Sequence, residues 1–214
     1  MLPPPLPNET SADAQLPPPA PLFPRTLAFL ADAALALLFG VLATRLLVPV
    51  FAADTFPVFV ETLEEIAHDY RETTLSLAGG NTEAAAAFSE RVVERASRPE
   101  VADAQLFLSL TLTLTALAYF TLSETLTRGA SIGKKIFRLR VVSTVTGEPP
   151  NVLQSLSRSI WRACAVAPAG LLVTLLVLVD AHVPFFAFRR RAWHDRLART
   201  EVVDARNRGN GRDA

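Results

Sequence analysis

The chain has 214 residues, and its 21 Lys+Arg balance its 21 Asp+Glu. Half of the residues are hydrophobic and the mean hydropathy is +0.28, which excludes a disordered polymer and a tail that coats nucleic acid. The lone cysteine, Cys164, excludes an internal disulfide framework and a zinc site made of cysteines. Residues 1–126 hold 6 basic and 15 acidic side chains, whereas residues 127–214 hold 15 and 6, so the two halves are expected to face different surroundings.

Residues 1–21 are rich in proline, which predicts a disordered, extended tail. This tail has no basic segment of the kind that opens a secretory signal, so the apolar block that follows is not predicted to be a cleaved signal. Residues 205–214 are predicted to be a second flexible tail. The membrane domain is predicted to span residues 22–204.

Three apolar blocks interrupt the polar sequence. Thr26–Thr44 has 19 residues with one charge, Ala104–Ser123 has 20 with none, and Ala163–Val179 has 17 with none. A helix needs about 20 apolar residues to cross a bilayer, so the first two blocks are predicted to be transmembrane helices. Leucines alternate with hydroxyl residues over 108–115, a strand-like pattern, but one strand exposed to lipid leaves its backbone unsatisfied, and a helix is predicted. A soluble all-α protein is the less favoured alternative.

A polar insert, residues 51–103, separates the first two blocks. Apolar residues at helical spacing predict two amphipathic helices, Pro57–Leu77 and Thr82–Ser97, with a break at Gly79-Gly80. The insert carries 11 acidic and 4 basic residues. It is predicted to be a helical hairpin outside the membrane, with His68-Asp69 on a solvated face.

The basic residues predict the orientation. Seven lie in residues 127–162 and eight in residues 189–212, which places both segments and both termini in the cytoplasm. Arg138–Thr144 and Thr200–Ala205 are typical of short strands. If they pair, the third block is re-entrant, with breaks expected at Pro168, Gly170 or residues 180–184. This hairpin is preferred, and a full crossing stays open. The expected fold is thus an all-α polytopic membrane protein with three hydrophobic segments, a small cytoplasmic β pairing and an outer helical hairpin.

An ionisable side chain within a membrane helix calls for a partner or a function. Asp32 lies seven residues beyond Arg25, roughly 10 Å along the same helix face, which is too far for a close pair. The predicted orientation also gathers further charges at the same end: Glu124, Arg128, Lys134, Arg158, Arg162 and the segment 191–196. A mixed-charge cluster at the cytoplasmic leaflet is therefore expected.

Several motifs carry a resemblance to a known family. They are Arg25-Thr-Leu-Ala-Phe-Leu-Ala-Asp32, Ser131-Ile-Gly133-Lys134-Lys135 ahead of Leu139–Val142, the pair Arg158 and Arg162, and Trp193-His194-Asp195-Arg196 leading to Thr200. Together they resemble the RDD family of bacterial membrane proteins, over about residues 22–204 except for the insert. The resemblance implies that Arg25, Asp32 and Asp195 are the family's named arginine and aspartates. Arg199 departs from the family, where glycine is frequent, and puts the final turn in doubt.

The family resemblance implies a fold and a bacterial inner-membrane location more directly than an activity. Transport of an ion or small solute is one expectation, with Asp32 as a titratable or cation-binding carboxylate. The alternatives are that the charges form a structural ion pair, or that the protein is a scaffold or anchor. The predicted functional cluster comprises Arg25, Asp32, Asp195, Lys134, Arg162 and His194, with Gly133 in a structural turn.

An enzyme is not expected. Gly129–Lys135 has one residue too few between its glycines for a phosphate loop, and Lys135 replaces the Ser or Thr that binds magnesium. His194-Asp195 has no second histidine nearby for a metal site. No cofactor, metal or nucleic acid is predicted; the expected partners are anionic lipids at the cytoplasmic face and a small solute or ion. Contact with the lipids through Lys134, Lys135, Arg138 and Arg140 is one interpretation of these residues, and the positive-inside rule alone is the favoured one. Homo-oligomerisation is left open.

Overall fold

The structure is a computed structural model that describes residues 17–166 and 171–208. It is mostly helical. In chain order its elements are α1 Leu22–Phe51, α2 Thr55–Ala78, α3 Glu83–Ala96, α4 Pro99–Leu126, α5 Ile132–Ile136, β1 Leu139–Ser143, α6 Val152–Val166, α7 Leu171–Phe186, α8 Trp193–Leu197 and β2 Thr200–Asp204. Short 3₁₀ turns occupy Phe188–Arg190 and Ala205–Arg208.

Helices α1 and α4 are long and apolar enough to cross a membrane. They have 30 and 28 residues, and their most apolar windows have mean hydropathies of 2.2 and 1.7. Only 17% of each window is buried, whereas the central helix of a soluble protein would be mostly buried. Both helices match the first two predicted blocks, and the stretch of alternating leucines and hydroxyl residues is helical throughout.

The two predicted strands pair. β1 and β2 are antiparallel, from Leu139 opposite Asp204 to Ser143 opposite Thr200. The segment before α1 joins them, because Ala20 N–H donates to the Val202 carbonyl at 3.0 Å. Residues 17–21, which the sequence assigned to the disordered tail, therefore include a buried contact with the sheet at Ala20. Residues 1–16 and 209–214 of the predicted tails lie outside the described residues.

The third apolar block is divided between two helices. Its first residues end α6, and α7 begins at Leu171 and has 16 residues; Pro168 and Gly170 lie outside the described residues. The predicted break at residues 180–184 is wrong, because α7 continues through Pro184 to Phe186. Pro184 sits in the last turn, where it costs a single hydrogen bond.

Helix α6 is an inverted helix in its pattern of burial: it buries polar side chains and exposes apolar ones, the opposite of an amphipathic helix in water. Its polar side chains, among them Ser155, Arg158 and Ser159, are fully buried, whereas Leu153 and Ile160 are 73% and 50% exposed. Such a helix is expected where the surroundings are lipid and the protein interior is charged.

The insert forms a compact unit with the adjoining turns of α1 and α4, residues 41–111. Its hairpin, α2 and α3, is closed by Asp69, which accepts hydrogen bonds at 2.8 Å from Arg91 and from Arg95. Those hydrogen bonds lower the pKa of Asp69. The solvated face predicted for His68-Asp69 therefore holds for His68, whose side chain is 66% exposed, and not for Asp69.

Candidate functional site

Glu124, near the end of α4, is the first centre of a buried charge network. Its side chain is fully buried. Lys134 and Arg162 both donate to Oε1, and the Nε of Arg158 lies 3.5 Å from Oε2. Three cations from α5 and α6 thus surround one carboxylate of α4.

Asp195, in α8, is the second centre and is also fully buried. Its Oδ2 accepts a hydrogen bond from Arg25 Nη2 at 2.8 Å, and its Oδ1 lies 2.5 Å from Arg158 Nη1 and 3.3 Å from His194 Nε2. Burial alone would raise the pKa of Asp195, but the charges of Arg158, His194 and Arg25 outweigh it and hold the pKa well below its usual range. Arg158 contacts both Glu124 and Asp195 and so joins the two centres.

Local sequence explains how these cations converge. Arg158 and Arg162 are four residues apart in α6 and therefore lie on one face, with Ser155 and Ser159 beside them. Lys134 follows a tight turn at Gly129, whose φ of +91° suits glycine. Burial and the charge of Arg162 lower the pKa of Lys134 to about 8, against the opposing effect of Glu124.

Asp32 is held differently. It is 1% exposed, and among the described residues its oxygens contact neutral donors: the Tyr119 hydroxyl at 2.8 Å, the Gly133 N–H at 2.8 Å and the Ser131 hydroxyl. Gly133 allows this contact because a Cβ there would lie 2.3 Å from the Ala28 carbonyl oxygen and 2.9 Å from the Asp32 carboxyl carbon. Gly133 therefore lies within α5 and lets α5 approach α1 closely, whereas the sequence predicted that it would form a turn.

The residues of the predicted cluster therefore fall into two separate groups. Arg25, Lys134, Arg162, His194 and Asp195 belong to the ion-paired network. Asp32 lies outside that network and does not pair with Arg25. Sequence reasoning placed Glu124 and Arg158 nearby but did not assign them to the site, although the i,i+4 spacing of Arg158 and Arg162 could have indicated a buried acidic partner. Tyr119 and Ser131 were missed, because a neutral hydroxyl in a helix or loop gives no sequence signal.

Two further carboxylates tie neighbouring segments together. Asp180 of α7 contacts His194 Nδ1 at 2.5 Å and accepts from the His194 N–H at 3.3 Å. Glu201 of β2 is fully buried and contacts Arg189 at 3.0 Å and Arg191 at 2.7 Å. Two residues of the basic triplet at 189–191 are thus paired with Glu201 of the sheet.

A cavity of about 230 Å³ lies between α1, α6, α7 and the short helices. Its polar wall consists of four cationic residues, two carboxylates and one histidine, namely Arg25, Lys134, Arg158, Arg162, Asp32, Asp180 and His194. Aromatic side chains form much of the remainder, among them Phe29, Phe120, Trp161 and Phe185. The cavity is therefore a mostly apolar chamber with charges along one part of its wall.

No grouping in the insert is assigned as a metal site. His68, Asp69 and Glu72 bring potential ligand atoms within 4.8 Å of one another. Asp69 is already neutralised by Arg91 and Arg95, and the side chains of His68 and Glu72 are more than half exposed.

The two apolar helices, the inverted helix α6 and the buried charges define a helical membrane protein. The family model described as the RDD family matches residues 19–199, and the chain belongs to that family. The resemblance noted in the sequence is thereby confirmed. No curated protein and no solved structure matches the chain.

Proposed function

We propose that the protein transports an ion or small solute and that the cavity beside Asp32 is the binding site at the cytoplasmic end. One observation carries the proposal. Asp32 is buried, lines a cavity of about 230 Å³ and is held by neutral donors, whereas the buried carboxylates Glu124 and Asp195 are paired with lysine and arginine.

A membrane protein gains little stability from a buried carboxylate without a cationic partner, because the desolvation cost is high. Glu124 and Asp195 offset that cost with ion pairs. Asp32 offsets it with three hydrogen bonds, which an asparagine could replace by accepting two and donating one. We infer that its acidity is kept for exchange with a proton or for contact with the transported species.

The proposal includes a topology in the bacterial inner membrane. Helices α1 and α4 are the two crossings, the acidic hairpin α2–α3 is outside, and both ends of the described chain are cytoplasmic. Two observations support it: residues 127–214 carry 15 of the 21 basic side chains, and the pairing of β1 with β2 requires both strands to lie on one side of the membrane. Helices α6 and α7, which pack together, then form a hairpin that does not cross.

Accessibility labelling tests this topology. In a Cys164→Ser background, Arg206→Cys should react only from the cytoplasmic face of sealed vesicles. Ser97→Cys, in the insert, should react only from the outer face. Labelling of Arg206→Cys from the outside would mean that α6–α7 crosses the membrane.

A second role is favoured by the ion pairs of Glu124 and Asp195. Their network connects α1, α4, α5, α6 and α8, and we propose that it fixes the positions of these helices. A scaffold that does not transport would need this network and would not need Asp32 to be acidic.

Flux in proteoliposomes decides between the two roles. We would measure the wild type with proton, sodium, potassium and organic-anion gradients, beside Asp32→Asn and the matched control Asp103→Asn, whose side chain is exposed. Transport predicts flux in the wild type and in the control and at least a tenfold loss in Asp32→Asn. No flux with any gradient, or full flux in Asp32→Asn, would overturn the assignment.

A further inference from the structure

The charge on the cavity wall narrows the class of ligand. Four cationic side chains line it, Arg25, Lys134, Arg158 and Arg162, against two carboxylates, Asp32 and Asp180. Their counter-ions Glu124 and Asp195 do not line the cavity but contact all four cations, so the formal charges of the region balance. An anion is favoured over a metal cation where a cationic donor on the wall is left without an acceptor.

Arg158 offers a specific anchor for that anion. Its side chain is fully buried, and its Nη1 is engaged by Thr200 and Asp195 at 2.5 Å each. Its Nη2 has no hydrogen-bond partner among the described residues. Because a buried charged donor is costly when unsatisfied, a carboxylate or phosphate oxygen placed there would be strongly favoured.

The rest of the cavity suits hydrocarbon. Phe29, Trp161 and Phe120 line it, and the Arg162 guanidinium lies over the Phe120 ring at 5.7 Å from the centroid. Phe185, another wall residue, is 64% exposed, so the apolar part of the cavity reaches the outer surface of α7. That surface is the one expected to meet lipid.

We infer that the cavity binds an amphiphilic anion, with its carboxylate or phosphate group at Arg158 and Arg162 and its hydrocarbon part along Trp161 and Phe185. The volume of about 230 Å³ suits a short acyl chain. This inference names the substrate class of the proposed transport and rests on that proposal. The anion comes either from a free fatty acid or from a phosphorylated lipid head group.

The fluorescence of Trp161 reports ligand binding directly, because Trp161 lines the cavity. With Trp193→Phe as background, Trp161 is the remaining tryptophan, and its fluorescence is recorded in nanodiscs of neutral phosphatidylcholine. Octanoate and octyl phosphate should each change it saturably, and octanol at equal concentration should not. The affinities of the two ligands identify the source of the anion. Tighter binding of octanoate indicates a free fatty acid, and tighter binding of octyl phosphate indicates a phosphorylated head group.

Cavity-filling variants separate binding in the cavity from partitioning into the bilayer. Ala165→Phe and Thr26→Phe enlarge wall residues on α6 and α1. Their matched controls, Ile160→Phe and Leu30→Phe, enlarge exposed residues of the same helices that do not line the cavity. We expect at least a tenfold loss of octanoate affinity in either filling variant that folds, and wild-type affinity in the controls.

Three results would overturn the inference: an equal response to octanol, an unchanged response in the filling variants, or saturable binding of sodium alone. Failure of the transport proposal looks different. Octanoate binding without any flux would remove transport and leave the anion site, whereas sodium flux without octanoate binding would remove the anion site and leave transport.

Discussion

Three of the buried carboxylates, Glu124, Asp195 and Asp32, have two different kinds of partner. Glu124 and Asp195 are surrounded by cations, with Arg158 in contact with both. Asp32 is surrounded by a phenol, a hydroxyl and a backbone N–H. The difference teaches that burial of an acid does not by itself indicate its role; the kind of partner does.

The stability cost of removing a side chain depends on whether its partner is a charge or a neutral donor. Removing one member of a buried ion pair strands the other charge in a medium that cannot solvate it. Removing the charge from a carboxylate held by neutral donors strands nothing. Substitutions should therefore destabilise the two groups by clearly different amounts.

The largest effect is expected for Arg158→Met. This change removes the cation shared by Glu124 and Asp195 while keeping a side chain that can fill the space, and it should cost about 3–5 kcal/mol. The free energy of unfolding in mild detergent measures it. Arg71→Met, at an exposed position of the insert, is the control and should change stability by less than about 0.5 kcal/mol. A small loss in Arg158→Met would mean that the network is not structural.

Asp195→Asn should cost about 3 kcal/mol near neutral pH, because it leaves Arg158 and Arg25 short of a counter-ion. The effect should depend on pH. Since the folded-state pKa of Asp195 is lowered, its contribution is full above the unfolded pKa of about 4 and is lost as the pH falls further. Unfolding measured from pH 6 to pH 3 should therefore show the variant and the wild type converging at the acid end. Asp103→Asn should remain parallel to the wild type, and a constant gap for Asp195→Asn would contradict the pairing.

Gly133→Ala should cost about 1–3 kcal/mol. Its Cβ would lie 2.3 Å from the Ala28 carbonyl oxygen, so α5 must move away from α1 and weaken the N–H donated to Asp32. Thermal unfolding measures the loss. Gly79→Ala is the control, because its φ of −81° suits alanine and the nearest atom to the added Cβ is the Ser76 carbonyl oxygen at 3.3 Å. An unperturbed Gly133→Ala would show that the approach of α5 to Asp32 is not tight.

Much of the fold followed from the sequence because its signals are local. Apolar length predicted α1 and α4, helical spacing predicted α2 and α3 to within two residues, and β-branched runs predicted the paired strands. The break at residues 180–184 was mispredicted, since a proline near a helix end costs too little to stop the helix. Arg199 adopts a φ of +50°, a left-handed conformation that glycine adopts more easily than arginine, so the final turn forms without the glycine that the family resemblance led us to expect.

The site was less predictable because its pairings are long-range. Arg25 pairs with a residue 170 positions away, and no local pattern could choose Asp195 over Asp32. Contact of Lys134 with anionic lipid was one interpretation of the sequence, but the side chain is 8% exposed and pairs with Glu124. Neutral donors such as Tyr119 leave no charge pattern at all.

Among these substitutions, Asp32→Asn is expected to reduce the free energy of unfolding least. The same substitution is the most informative about function. The asparagine oxygen can still accept from Tyr119 and Gly133, and its amide can donate to the Ser131 hydroxyl, so the cost should stay near 1 kcal/mol. Measured beside Asp195→Asn in the same detergent, it should lie at least about 2 kcal/mol closer to the wild type. A loss as large as that of Asp195→Asn would mean that Asp32 is an ionised member of the structural network. A small loss with abolished flux would mean that the acid is retained for transport, because a near-isosteric neutral side chain would satisfy the fold equally well.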